Sequence, residues 1–122
     1  MNRFYESDFQ AEVDRLLNAL ENQEVPIYEL GTPDLLETED TNALINMGQK
    51  IVPYLVMRSE ESPSKTTAYI VYILGRLGDR NVVPHLLKLR ERFQKLDAKT
   101  EWDYAVIGQC NLAIERLNRI NP

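Results

Sequence analysis

Apolar positions along this chain recur at three- and four-residue spacings, the period of helices that bury one face. Phe9, Val13, Leu16, Leu17 and Leu20 form the first such stripe, and Asp14, Arg15, Asn18 and Glu21 fall off it. A helix with one wet face belongs at the edge of a fold. Its start is expected near Ser7, because Ser7-x-x-Gln10 has the spacing of a capping box. Gln23 to Gly31 reads QEVPIYELG, with a proline, a glycine and no helical period, and is a connector. Thr32-Pro33 then restarts a helix, threonine as the cap and proline where a missing amide hydrogen costs nothing. Leu35, Leu36, Ala43, Leu44 and Met47 are its apolar set. Glu39 and Asp40 interrupt that set, which predicts a kink or break with Asp40 or Thr41 recapping.

Gly48 supplies a turn, and Ile51, Val52, Leu55 and Val56 mark a helix running to about Arg58. After the polar loop SEESPS, Ser62-Pro63 repeats the cap-plus-proline start. The helix from Ser64 to Leu77 is apolar on nearly every side, through Ala68, Tyr69, Ile70, Val71, Tyr72, Ile73, Leu74 and Leu77. Such a helix is surrounded by others, so it is expected at the centre. A turn at Gly78-Asp79 follows. Val82, Leu86, Leu89, Phe93 and Leu96 then form a core stripe, and His85, Lys88, Arg92 and Lys95 form a basic ridge on another face. The last helix opens at the box Thr100-x-x-Asp103 and packs through Trp102, Ala105, Val106, Gln109, Ala113 and Leu117.

The second half of this pattern repeats the first. Ala43 to Leu55, ALINMGQKIVPYL, aligns with Ala68 to Leu87, AYIVYILGRLGDRNVVPHLL: Gly48 matches Gly78, and Pro53 matches Pro84 after one insertion. A helix-turn-helix unit recurring at this period marks a helical solenoid.

Composition narrows the setting. A chain of 122 residues is one domain long and large enough for a core without metal or disulfide support. The single Cys110 cannot form an internal disulfide, which points to a reducing cytoplasm. No run approaches the roughly 20 apolar residues that span a bilayer, so no membrane role is expected. The net charge of −5 argues against binding nucleic acid through its phosphates. Charge is unevenly placed: residues 1–64 hold 13 acidic and 4 basic side chains, a net of −9, and residues 65–122 hold 6 and 10, a net of +4.

The order Ala68, Leu74-Gly75, Gly78-Asp79, Val83-Pro84, Leu86-Leu87 resembles the HEAT repeat, in the short bacterial variety called phycobilisome-lyase HEAT-like. Residues 66–96 match well. The earlier copy has Met47-Gly48 and Val52-Pro53 but no aspartate after its glycine. The resemblance implies an all-α fold, a short right-handed α-solenoid of about six helices. Residues 1–31 would be an N-terminal cap helix and connector, 32–60 a weak repeat, 62–97 a well-formed repeat and 99–122 a C-terminal cap. It also implies that the second helix of each pair, Gln49 to Arg58 and Asn81 to Leu96, lines the concave surface.

Catalytic chemistry finds little purchase. A nucleophile needs a base beside it, and His85 is the only histidine. Cys110 lies among Ile107, Leu112 and Ala113 and reads as a buried, inert thiol. No metal-ligand spacing and no phosphate-binding glycine loop occurs, and Gly75 is accounted for by close helix packing, so no enzyme and no cofactor are expected. Asp34, Glu37, Glu39 and Asp40 are open to two readings, a site for a cation or basic partner and plain helix-dipole acids. The expected function is non-enzymatic binding of a partner protein or peptide on the concave face, through Tyr54, Arg58, His85, Lys88, Arg92 and Lys95. The basic ridge suits an acidic partner. An alternative is a small bacterial immunity protein whose acidic half neutralises a basic toxin. A third, an accessory factor like the chromophore lyases, follows from the resemblance alone.

Overall fold

A computed structural model of the chain describes residues 3–24 and 37–120. Six α-helices and two short 3-10 turns account for nearly all of them, and no strand occurs among the described residues. The helices are α1 (Arg3–Asn22), α2 (Glu39–Asn46), α3 (Val52–Ser59), α4 (Ser64–Leu77), α5 (Val83–Gln94) and α6 (Glu101–Ile120). The 3-10 turns, Gln49–Ile51 and Arg80–Val82, lead directly into α3 and α5.

Local signals place most of these boundaries, with three corrections. Helix α1 begins at Arg3, upstream of Ser7, because nothing in Arg3 to Glu6 breaks a helix. Ser7 is therefore an interior residue and not the cap. The break before α2 falls slightly earlier than expected: Thr38 is the cap, accepting from the Thr41 amide at 3.2 Å, while Thr41 Oγ1 accepts from the Thr38 amide at 2.8 Å. Thr32-Pro33, Leu35 and Leu36 lie outside the described residues. At the start of α4, Pro63 holds the capping position, and Ser62 instead donates to the Arg58 carbonyl at 2.6 Å, closing α3.

The two sequence copies fold alike. Gly48 and Gly78 both have φ of +81°, which a side chain would strain. Each glycine is followed by a 3-10 turn and then a helix with proline in its first turn. Gln49 ties the two corners together by donating to the Leu77 carbonyl at 2.5 Å.

Helix α4 is the centre, packed by α1, α2, α3 and α6, and α6 is packed in turn by α5. Thr66 to Val71 and Ile73 to Gly75 are all buried. Burying Ile70, Ile73 and Leu74 completely stabilises the fold by roughly 1.5–3 kcal/mol each relative to exposure. Gly75 lets α6 come close, since a Cβ there would lie 2.9 Å from Ala113 Cβ. The start of α6 is clasped by Asp103, which accepts from the Thr100 amide at 2.8 Å and from Ser64 Oγ at 2.5 Å. Burial alone would raise the Asp103 carboxyl, but these bonds outweigh it and hold the group below its ordinary value. On α5, Val82, Leu86, Leu89 and Phe93 are buried as the stripe predicts, but Leu96 is 40% exposed. The helix stops at Gln94, so the period no longer carries Leu96 inward.

Candidate functional site

Five of the six residues picked from sequence are held by hydrogen bonds or ion pairs, and four of them, Tyr54, Arg58, His85 and Arg92, find their partners on another element. Asp14, on α1, accepts from the Tyr54 hydroxyl at 2.7 Å and from Arg58 Nη1, both on α3. Burial, and then the bond to Asp14, push the Tyr54 phenol above its ordinary value, so it remains a donor at neutral pH. Phe9 meets the Tyr54 ring edge-on with centroids 6.4 Å apart. Arg58 is 25% exposed, and its Nε is buried with no hydrogen-bond partner among the described residues. It also lines a cavity of about 320 Å³ with Asp14, Leu17, Asn18, Glu21, Pro63 and Thr66.

A second set of links joins the end of α3 to α5. Ser59 Oγ lies 2.7 Å from His85 Nε2, Glu60 Oε1 lies 3.6 Å from His85 Nδ1, and Glu60 Oε2 accepts from Arg92 Nη1 at 2.6 Å. Lys95, just past the last residue of α5, pairs with Glu91 at 2.8 Å. Lys88 is exposed and has no carboxylate partner among the described residues. The basic ridge is therefore largely neutralised, and Lys88 is its unpaired charge.

Ser59, His85 and Glu60 resemble a catalytic triad on paper, and counting hydrogens rules against that role. The Ser59 hydroxyl donates its one hydrogen to the Val56 carbonyl at 2.6 Å, so Oγ must accept from His85 Nε2–H. A nucleophilic serine needs the reverse polarity, its own hydrogen directed at an imidazole lone pair. Ser59 is also completely buried, with no surface for an acyl group to approach. The group is a structural brace. Burial lowers His85 below its ordinary value; Glu60 opposes this, and Arg92 and Lys88 add to it.

Other candidates are placed as follows. Asp34 lies outside the described residues. Glu37 pairs with Arg76 at 3.7 Å, while Glu39 and Asp40 occupy the first turn of α2, where the dipole favours acids. Cys110 is fully buried and its thiol is pushed up to about 12 by burial. Among the described residues no three His, Cys, Asp or Glu side chains group as metal ligands, and no helix is long and apolar enough to cross a membrane. The partners sequence reasoning missed are Asp14, Ser59, Glu60 and Glu91. Nothing local marks the first three, because each acts on a residue of another helix, whereas Glu91 stands four residues before Lys95, the spacing of a helical ion pair. Comparison with protein-family models, curated proteins and solved structures returns no match.

Proposed function

We propose that the protein is a non-enzymatic binding module, a short stack of HEAT-like helix pairs that takes a partner protein or peptide on the face made by α1, α3 and α5. The observation that carries this reading is the ladder joining those helices: Asp14 to Tyr54 and Arg58, Ser59 to His85, and Glu60 to Arg92. It fixes tyrosine and arginine side chains at a surface, and these residue types dominate interface energetics. Side chains ordered beforehand lose less entropy on association. The stacked arrangement draws support from the matching glycine, 3-10 turn and proline units, and from α4 packing against both α2 and α6. The test is a pull-down from the native source, identification of the partner, and affinity measurement with both proteins purified. Reversing charge at Lys88 and Arg92 together should weaken binding about tenfold or more. Unchanged affinity, with helicity retained, would remove the site assignment.

One observation favours a second reading. Glu60 and Glu91 occupy two cations of the ridge, whereas the first 64 residues keep a net of −9. In that case the acidic half would neutralise a basic partner such as a nuclease toxin. Co-expression with the neighbouring gene's product decides it: no rescue and no complex ends this alternative.

A further inference from the structure

Beside the ladder, Phe9 and Gln10 of α1 and Lys50, Pro53, Tyr54 and Met57 around α3 line an open groove of about 420 Å³. Its size falls in the roughly 300–1,000 Å³ range of pockets that hold ligands. The walls are mainly apolar. Met57 is 50% exposed, although most methionines bury, and methionine adapts readily to varied apolar partners. One turn before it on the same face of α3, the Tyr54 ring is fixed twice, by its hydroxyl on Asp14 and by the edge contact with Phe9, so it cannot swing in to fill the space.

The charged member of the wall is Lys50. Of the described basic side chains in the first 64 residues, Arg15 is paired with Glu12 and Arg58 with Asp14, while Lys50 has no carboxylate within ion-pair distance among the described residues. An exposed ammonium at the mouth of an apolar groove suits an acid and repels a base. The chemical class of the occupant follows from these two features together.

We infer that this groove receives an apolar side chain of a partner peptide that carries an acidic residue next to that anchor. The anchor packs against Phe9, Tyr54 and Met57, and the carboxylate meets Lys50. This rests on the binding-module reading and adds to it what is bound and where. It also sets the groove apart from Lys88 and Arg92, so the two surfaces can be tested separately.

The experiment pans a random dodecapeptide display library against the full chain, then measures enriched peptides by fluorescence anisotropy. Enriched sequences should share an apolar residue flanked by aspartate or glutamate. Met57→Glu and Lys50→Glu should each weaken them about tenfold, and Met57→Leu should leave affinity within about twofold. Both positions are partly or fully exposed, so the variants are expected to keep the native helicity, which circular dichroism checks. Peptides without acids, or peptides bound equally by Met57→Glu and Lys50→Glu, overturn the inference. If such peptides instead lose affinity for the Lys88→Glu, Arg92→Glu double variant, the groove fails while the binding-module reading stands. If no sequence is enriched over the bare support, the groove inference fails, while the pull-down alone decides the binding-module reading.

Discussion

Replacing Gly75 by alanine tests the packing on which the whole fold depends. A Cβ at this position would sit 2.9 Å from Ala113 Cβ and 3.2 Å from Ala113 Cα. Carbon atoms rest at about 3.5–4.0 Å, so α4 and α6 would have to part by roughly 0.6–1.1 Å. Neither side can yield cheaply, because both are a methyl on a helical backbone. The separation would loosen the whole α4–α6 interface, which buries Ala105, Val106, Cys110 and Leu117 on the α6 side. Overpacking of this kind costs about 1–3 kcal/mol, and rigid partners place it in the upper part of that range. Alanine gains about 1 kcal/mol over glycine in a helix interior. The expected net loss is about 1–2 kcal/mol, seen in chemical denaturation followed by far-UV circular dichroism, with a fall in Tm of roughly 3–10 °C. Gly108 is the control, since a Cβ there meets nothing within 4 Å. Gly108→Ala should therefore stabilise by about 0.5–1 kcal/mol. Adding Ala113→Gly to Gly75→Ala should cost less than the sum of the single changes. If Gly75→Ala is as stable as the parent chain while Gly108→Ala gains, the close approach does not limit the fold and the reasoning is wrong.

Two further outcomes follow from buried ionisable groups. Burial presses the His85 imidazole below its ordinary value of 6.5, so the unfolded chain takes up a proton at higher pH than the folded one. Stability should rise with pH from the lowered value up to about 6.5 and level off above it, and His85→Gln should remove that part of the slope; a urea midpoint that rises identically in the variant would assign the effect to other groups. Cys110, buried and with its thiol pushed up to about 12, should resist a thiol reagent at pH 8 in the native state and react promptly in denaturant. Prompt reaction of the native chain would show that α6 opens readily from the core.

Much of the architecture was legible because the signals are local. The box of Thr100 and Asp103, the turns at Gly48 and Gly78, and the apolar belt of α4 each act within one or two helical turns, so residue order alone exposes them. Where local signals misled, a competing local option won: Ser7 has a capping spacing but sits in a helix that nothing stops, and Ser62 closes α3 in place of opening α4. Leu96 keeps its period on paper, but the helix that would carry it inward ends at Gln94.

The candidate site was legible only by residue type. Its sequence places Tyr54, Arg58, His85, Lys88, Arg92 and Lys95 at helical spacings and gives them charge and aromaticity. Which charges remain available is a matter of what faces them, and apart from Glu91, four residues before Lys95, those partners come from distant parts of the chain. Asp14 stands forty residues from Tyr54, and Glu60 thirty-two from Arg92. By itself the sequence determined the helices, their turns and the central place of α4, since these follow from spacing along one chain. Tertiary structure alone decided that Arg58, His85 and Arg92 face carboxylates distant in the chain while Lys50 and Lys88 have no carboxylate partner among the described residues, because such pairing depends on distance in space and carries no trace in sequence order.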